Sequence, residues 1–116
     1  MKRRDLVVLN KIIEEAEVIT RIVSGLNEND FLSDDMRQRA VGMTLINIGE
    51  LVKGLTNDLR QSHAYIPWKR IAGLRDIAAH GYATLDMRDI WNTSTNAIPS
   101  LVYDIKEILV NQEEAG

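Results

Sequence analysis

The chain is organised around the stretch Leu74-Arg75-Asp76-Ile77-Ala78-Ala79-His80-Gly81-Tyr82. Its apolar residues predict the body of a helix, which Gly81 is suited to terminate. Arg75 carries a permanent positive charge and a planar fork of donors that suits phosphate oxygens, whereas His80 can give or take a proton near neutral pH. This combination favours a site for a phosphate ester on the predicted helix.

Two amphipathic helices are predicted before this stretch. From Asp5 to about Ser24, apolar residues recur at the three-and-four spacing of a helix with one buried face, and the polar residues 27–30 that follow favour a turn. A second helix is predicted from about Asp34 to near Leu59, with Ser33 as its N-cap. The residues expected on the buried side of this second helix are Met36, Ala40, Met43, Ile46, Ile48, Leu51, Val52, Leu55 and Leu59.

Three glycines lie inside the predicted second helix, at positions 42, 49 and 54. Each costs up to about 1 kcal/mol relative to alanine in a helix interior. Close approach of a neighbouring helix is the simplest physical reason for such residues, so we expect tight helix packing along this segment.

A third predicted helix carries the central stretch. Pro67 suits its first residue, because the N–H that proline lacks would be unpaired there anyway. Asp86 can open a fourth helix that runs to Ala97, and Pro99 is expected to impose a kink or break before a last segment that reaches about Val110. No sustained period-two alternation predicts a strand. The sequence therefore predicts an all-α, up-and-down bundle of four or five helices.

Size and composition indicate one domain over residues 1–116, whose ends, 1–4 and 111–116, are expected to be flexible. The 116 residues are 45% hydrophobic and 27% charged and include no cysteine, so we expect neither a disulfide framework nor a thiolate metal site. No stretch approaches the roughly 20 apolar residues that cross a bilayer, and no targeting segment is visible. We therefore expect no membrane association and a cytoplasmic location.

The charge balance argues against a broad surface for nucleic acid. Fourteen Lys and Arg against seventeen Asp and Glu leave a formal net charge of −3. Binding to RNA would have to be local, at Lys69 and Arg70 with Arg75 or at residues 2–4, although both basic clusters are also typical of a solvated face. Contact with only a few phosphates predicts a shallow dependence of RNA affinity on salt.

A family resemblance rests on the central stretch and its flanks. Arg75, four intervening residues, His80, one residue and Tyr82 match the R-x4-H-x-Y signature of the HepT-like toxins of the HEPN superfamily of helical ribonucleases. The flanks that are similar in type and order are Ile48-Gly49-Glu50, Pro67-Trp68, Ile71-Ala72-Gly73, Leu85-Asp86 and Ile90-Trp91. The resemblance implies a HEPN-like bundle and an endoribonuclease.

The resemblance also implies roles for individual residues. Arg75 and His80 would be catalytic, with attack of a ribose 2′-hydroxyl on the phosphodiester and without a metal or another cofactor. Asp76 would orient a side chain of the site, and Glu50 would brace Arg75. Without the resemblance, an exposed helix carboxylate is an equally good interpretation of Glu50. Arg75 would then be a surface residue paired with Asp76 or Asp89, and His80 a histidine that caps the helix.

Helical geometry raises the question of a second subunit. At about 100° per residue, Arg75 and His80 differ by roughly 140° around an ideal helix, and Arg75 and Tyr82 by about 20°. Either the helix ends or bends near His80, or the site is completed across a two-fold axis. The resemblance favours the second alternative and thus a homodimer.

Tyr82 has a regulatory role by resemblance. In HepT-like toxins that pair with an MntA-like nucleotidyltransferase antitoxin, the signature tyrosine accepts AMP from ATP, so ATP would serve only the partner. A tyrosine that packs at a helix end is the alternative interpretation of Tyr82. For the whole chain, the alternative is a non-catalytic helical dimer that binds a nucleotide or a partner, or that only dimerises. Trp68, Trp91 and Tyr103 are expected in the core rather than as platforms for bases.

Overall fold

The computed structural model of the chain describes residues 1–79 and 86–115, and all its regular elements there are helical. They are α1 (Arg3–Val23), α2 (Glu28–Leu32), α3 (Asp35–Lys53), α4 (Asn57–Ser62), α5 (Trp68–Ala79), α6 (Met87–Asn92), a π-helical turn (Thr93–Ala97) and α7 (Ile98–Ala115). Because α6, the π-helical turn and α7 are contiguous, the described part contains four long helical rods and two short helices. The predicted all-α fold is confirmed.

The core lies between α1, α3 and the rod formed by α6, the π-helical turn and α7. α3 contacts both α1 and α5, and α7 packs against α1. The buried apolar side chains are Leu9, Ile12, Ile13, Ala16, Ile19, Phe31, Val41, Leu45, Ile48, Val52, Leu55, Leu59, Ile66, Trp68, Ile71, Ile90, Ile98, Leu101, Ile105 and Ile108. Their three-and-four spacing on each rod is the reason that these segments form helices with one buried face.

The face of α3 that points into the core differs from the expected one. Val41 and Leu45, which the sequence interpretation did not select, are fully buried. Met36 and Met43, which it did select, are 81% and 59% exposed. α3 therefore carries two apolar faces, and hydrophobic periodicity alone does not say which of them meets the core.

The predicted single helix from Asp34 to Leu59 is wrong, because α3 ends at Lys53 and a separate helix, α4, begins at Asn57. The buried side chain of Asp5, only 2% exposed, accepts hydrogen bonds from the backbone N of Thr56 at 2.9 Å and from its Oγ1 at 2.6 Å. The Thr56 hydroxyl in turn accepts from the N–H of Leu59 and caps α4. A carboxylate on α1 thus fixes the start of α4.

Two helix starts also differ from expectation. Residues 27–30 form a capping box, in which the Asn27 side chain accepts from the N–H of Asp30 and the Asp30 carboxylate accepts from the N–H of Asn27, so the expected turn opens α2 instead. The N-cap of α3 is Asp34 rather than Ser33, because the Asp34 carboxylate accepts from the N–H of Arg37. The N-cap of α3 thus lies one position later than expected. The residues expected to form only a turn instead cap the short helix α2.

Pro99 does not interrupt the helix, so the expected break at this residue is wrong. It lies in the first turn of α7, and the helical rod continues through it from α6. The π-helical turn directly before it widens the backbone, which gives the proline ring room beside the carbonyl of Thr95. The side chains of Ser94 and Thr95 donate to the carbonyls of Ile90 and Trp91 at 2.8 and 2.9 Å, as hydroxyls inside distorted helices often do.

The predicted ends of the chain are helical as far as they are described. α1 already includes Arg3, and α7 extends to Ala115. Whether these ends move stays a prediction. No helix in the part of the chain that the structure describes is long and apolar enough to cross a membrane.

Candidate active site

The candidate site begins where α3 and α5 touch through their backbones. A Cβ atom added to Gly49 would lie 2.9 Å from both the Cβ and the N of Arg75, and 3.0 Å from the carbonyl O of Ala72. No residue larger than glycine fits such a contact without a shift of one helix. The expected close packing is thus present at Gly49, whereas Gly54 is the C-cap residue of α3.

This contact places Glu50 beside Arg75. The Nε of Arg75 forms an ion pair with Oε1 of Glu50, and Nη1 lies 3.7 Å from Oδ1 of Asp76. The side chains of Arg75 and Glu50 are 45% and 51% exposed, so the pair lies at the surface. A guanidinium has five N–H donors, so two carboxylates leave at least one for a phosphate oxygen. The structure thus brings together Arg75, Asp76 and Glu50, three of the residues selected from the sequence.

The surface on the other side of Glu50 is acidic. A depression of about 490 Å³ is lined there by Glu14, Glu15 and Glu50, with Lys11 as its cation. The Nδ2 of Asn47 donates to Oε1 of Glu15 at 2.8 Å and holds that carboxylate in place. Carboxylates at this density repel phosphate, so RNA would have to reach Arg75 from another direction.

The rest of the signature lies outside the described residues. These are His80, predicted to be catalytic, Tyr82, predicted to accept AMP, and Gly81, predicted to end the helix. The relation between Arg75 and His80 around the helix therefore stays a prediction.

Basic side chains gather at the start of α5. A broad depression of about 650 Å³ is lined by Arg60, Lys69 and Arg70, together with Pro67. Arg60 reaches this position from α4, where its Nη2 donates to the Asn57 side chain at 2.7 Å. The sequence interpretation selected Lys69 and Arg70 but missed Arg60, because only the break between α3 and α4 brings it to α5.

The aromatic residues divide between core and surface. Trp68 is buried and its indole N–H donates to the carbonyl of His63 at 3.0 Å, while Trp91 packs on Phe31 with ring centroids 5.5 Å apart. Tyr103 is 66% exposed, so its expected place in the core is wrong. Among the described residues, no cluster of three His, Asp or Glu side chains can hold a metal ion. Metal independence itself stays a prediction, since His80 is not among these residues.

Fold and site together define a class of protein. An all-helical chain, in which a glutamate of α3 forms an ion pair with an arginine of α5 and a histidine follows that arginine by five positions, has the organisation of HEPN-type helical proteins. The family model described as "Ribonuclease HepT-like" matches residues 12–108. This chain therefore belongs to the HepT-like ribonuclease family, as the resemblance predicted.

Relatives along nearly the whole chain agree with this assignment. A protein of Caldanaerobacter subterraneus subsp. tengcongensis, named "Putative RNase", is 39% identical over 105 residues, which cover 90% of this chain and 94% of the relative. The "Probable ribonuclease HepT" of Thermococcus cleftensis is 39% identical over 101 residues, which cover 87% of this chain and 92% of the relative. No solved structure gives a significant match.

Proposed function

We propose that this protein is a metal-independent endoribonuclease, and that it acts as a toxin controlled by a nucleotidyltransferase. The observation that carries the proposal is the ion pair of Glu50 with Arg75 at the start of the family signature. Membership of the HepT-like ribonuclease family supports the activity on RNA. The names of two relatives as ribonucleases support it as well.

The proposed reaction needs a base, an acid and a fixed cation. One His80 takes the proton from a ribose 2′-hydroxyl, whose oxygen attacks the adjacent phosphorus. The bond to the 5′-oxygen breaks, and the leaving oxygen takes a proton from His80 of a second copy, which leaves a 2′,3′-cyclic phosphate and a 5′-hydroxyl. Each acid or base typically contributes 10²- to 10⁴-fold to the rate.

Arg75 would stabilise the charge that develops on the non-bridging phosphate oxygens. Glu50 acts through it as a positioning residue, because the ion pair at Nε holds the guanidinium plane and leaves donors for phosphate. Asp76 approaches the same guanidinium from its own helix. It adds a second constraint on the orientation of Arg75, together with a negative charge that RNA must tolerate.

Cleavage of RNA in the presence of EDTA tests the activity. We expect Arg75→Ala to lose about 10²- to 10³-fold in kcat and His80→Ala about 10²- to 10⁴-fold. Arg88→Ala is the matched control, since Arg88 also pairs across helices, with Glu28 at 3.7 Å, but away from the signature. Cleavage that survives both substitutions would remove the site assignment. The alternative, a non-catalytic helical dimer that binds a nucleotide or a partner, predicts no cleavage by any variant.

A homodimer is part of the proposal, and the second apolar face of α3 supports it. Met36, Ala40 and Met43 are exposed and spaced so that they share one stripe, which continues through Asn47 to Glu50. A second copy that packs on this stripe would bring its own Glu50 and Arg75 close to the first pair. Such an arrangement supplies the two histidines that the reaction needs.

Sedimentation or light scattering tests the dimer. Met43→Glu should yield monomers, because it would bury a carboxylate in an apolar contact. Tyr103→Glu is the control, since Tyr103 is a similarly exposed apolar residue on α7, outside the stripe. Dissociation by Tyr103→Glu together with an intact Met43→Glu dimer would move the interface to α7.

Control by an MntA-like nucleotidyltransferase completes the proposal. AMP on Tyr82 would place a bulky anion two residues from His80 and repel an incoming phosphate. Incubation with the nucleotidyltransferase and ATP should add the mass of AMP to the chain and abolish cleavage. A mass gain that persists in Tyr82→Phe would rule out this tyrosine as the acceptor.

A further inference from the structure

A second flank of α5 leaves a cavity that the proposed reaction does not use. The cavity, called the α5 slot below, has a volume of about 220 Å³. Arg70, Ile71 and Leu74 line it from α5, and Thr93, Leu101 and Asp104 line it from the π-helical turn and α7. Leu74 directly precedes Arg75 along α5, so the slot and the candidate site lie at the same level of this helix on different flanks.

The size and lining of the α5 slot fit a small flat ring. Ile71 and Leu101 are buried and form an apolar floor, while Arg70, Thr93 and Asp104 supply polar groups at its edges. Ligand sites typically combine an apolar lining with a few polar groups, but their volumes for drug-sized molecules are roughly 300–1,000 Å³. A single heteroaromatic ring system is the scale that this smaller slot accepts.

The surface next to the slot adds side chains that can form hydrogen bonds with the edge of a base. A second depression shares Arg70, Leu74 and Thr93 with the slot and is extended by Asn92 and Asn96, each exposed, and by Asp89. Amide side chains both donate and accept, which is what the edge of a base requires, and a carboxylate accepts from an exocyclic amine. Asp89 and Asp104 also repel phosphate, so the occupant is the uncharged base and not the phosphate of a nucleotide.

The cations that a strand needs lie at the other end of the slot. Arg70 borders both the slot and the basic depression that contains Arg60 and Lys69. A guanidinium can stack on a base with its face and bind phosphate with its edge. The strand would therefore run from the basic depression past the slot toward Arg75.

We propose that the α5 slot binds one unpaired nucleobase of the RNA, next to the phosphate held at Arg75. This inference rests on the proposed ribonuclease function and gives its substrate class, which is single-stranded rather than duplex RNA. Unpaired bases are the parts of RNA that proteins read by stacking and by hydrogen bonds to their edges. A free nucleotide offers the same base and is the other source to be tested.

The experiment measures affinity for RNA whose ribose 2′-hydroxyls are methylated, so that the attacking group is absent and no strand is cut. A short single-stranded RNA is compared with copies that each lack one base but keep the backbone. One abasic position should weaken binding about tenfold, the scale of one stacked base at roughly 1.4 kcal/mol. Ala97→Phe, which fills the slot from the π-helical turn, should weaken binding of the intact RNA by a similar factor and remove the difference between intact and abasic strands.

Two further variants keep the test decisive if the π-helical turn does not tolerate phenylalanine. Asn96→Ala should weaken binding of the intact RNA and leave binding of the abasic strand unchanged, while Asn10→Phe adds the same ring at an exposed position of α1, away from the slot and the basic depression, and should have no effect. If Ala97→Phe and Asn96→Ala both keep the parent chain's ratio of affinities for intact and abasic RNA, the slot proposal is overturned and the ribonuclease proposal is untouched.

Free AMP, GMP, CMP and UMP, each with its 5′-phosphate, separate the two sources of a base. Weak mononucleotide binding supports an RNA strand as the ligand, provided that the loss of affinity for abasic RNA disappears in Ala97→Phe. Mononucleotide binding that is as tight as RNA binding and is lost in Ala97→Phe would overturn the proposal of a bound RNA strand. The slot would then be a site for a free nucleotide. A further outcome is that the chain without substitutions cuts no unmodified RNA and still binds intact RNA more tightly than abasic RNA, with Ala97→Phe removing this difference. In that case the slot proposal stands and the proposed nuclease fails.

Discussion

The two described flanks of α5 meet the rest of the molecule in different ways. Toward α3, the backbones touch, because Gly49 leaves no side chain between the helix and Arg75. Toward the π-helical turn and α7, Leu74 borders a cavity of about 220 Å³. One flank therefore fixes the backbone of α5 at Arg75, and the other leaves the open slot for which we propose a bound base.

This difference suggests how a small helical chain divides its tasks. A catalytic cation must be held within a fraction of an ångström, which requires contact without a void. A binding slot must be open before the ligand arrives, so it is built where packing is incomplete. Substitutions on each flank and elsewhere in the fold test whether the two flanks are independent.

The largest effect on stability is expected far from both flanks. Asp5→Ala leaves the partly buried N–H and hydroxyl of Thr56 without their acceptor, at a cost of up to about 1–3 kcal/mol for each group in the free energy of unfolding. Urea denaturation should show a lower midpoint, while RNA cleavage per folded molecule stays unchanged. Asp58→Ala, an exposed neighbour on α4, is the control. Loss of cleavage in the still folded Asp5→Ala variant would mean that the fixed flank depends on the whole fold.

Substitution of Gly49 directly disrupts the close contact between α3 and α5. Gly49→Ala places a methyl group 2.9 Å from the backbone N of Arg75, so one helix must shift, at a cost of about 1–3 kcal/mol and with loss of cleavage. Gly73→Ala on α5 meets nothing within 4 Å and should raise stability by up to about 1 kcal/mol. Thermal unfolding of the pair should give opposite signs. Equal signs would show that α3 and α5 do not touch at Gly49.

Removal of the charge on Glu50 sharpens the assignment of that flank. Because the ion pair with Arg75 is half exposed, Glu50→Gln should change the free energy of unfolding by only about 0–1 kcal/mol. Misplacement of the guanidinium should nevertheless lower kcat by up to about 100-fold with little change in KM. Glu28→Gln, which removes the exposed partner of Arg88, should change neither constant. A rise in KM alone would make Glu50 a substrate-binding residue instead of a positioning one.

The smallest effect is expected at the start of α3. The backbone N–H and the guanidinium of Arg37 hold the pKa of the Asp34 carboxyl below its ordinary value. The folded state thus keeps this group ionised to lower pH than the unfolded state, so its contribution to stability is complete above the ordinary pKa and is lost as pH falls through the lowered pKa. In acid titrations of stability, Asp34→Asn should remove a small part of the decline between these two values. An unchanged acid profile would show that the cap does not depend on the charge.

The helices were predictable where one signal dominated. α1 has a single apolar face, Gly25 follows it with a φ of +78°, and Asp86 caps α6 as expected. The resemblance pointed to contact between Glu50 and Arg75, and the two form an ion pair, while the role of Glu50 stays a prediction. These features depend on neighbours in sequence or on a family pattern.

The remaining features depend on contacts that no local pattern contains. The break before α4 is fixed by Asp5, which lies 51 residues away from Thr56. The inward face of α3 could not be chosen, because Met36 and Met43 are as apolar as Val41 and Leu45. The α5 slot arises between segments about 30 positions apart, and its lining residues have no common motif.

The π-helical turn has a consequence for the register of the last rod. Ile90, Ser94 and Ile98 are all buried although they are spaced four apart, a spacing that drifts by about 40° per step in a regular α-helix. The wider turn absorbs this drift. Deleting one residue between Thr93 and Ala97 would leave the two isoleucines seven positions apart, and in a regular helix that spacing differs from two full turns by only about 20°, so they would still share a side. The π-helical turn thus accommodates one additional residue and keeps both halves of the rod facing the core.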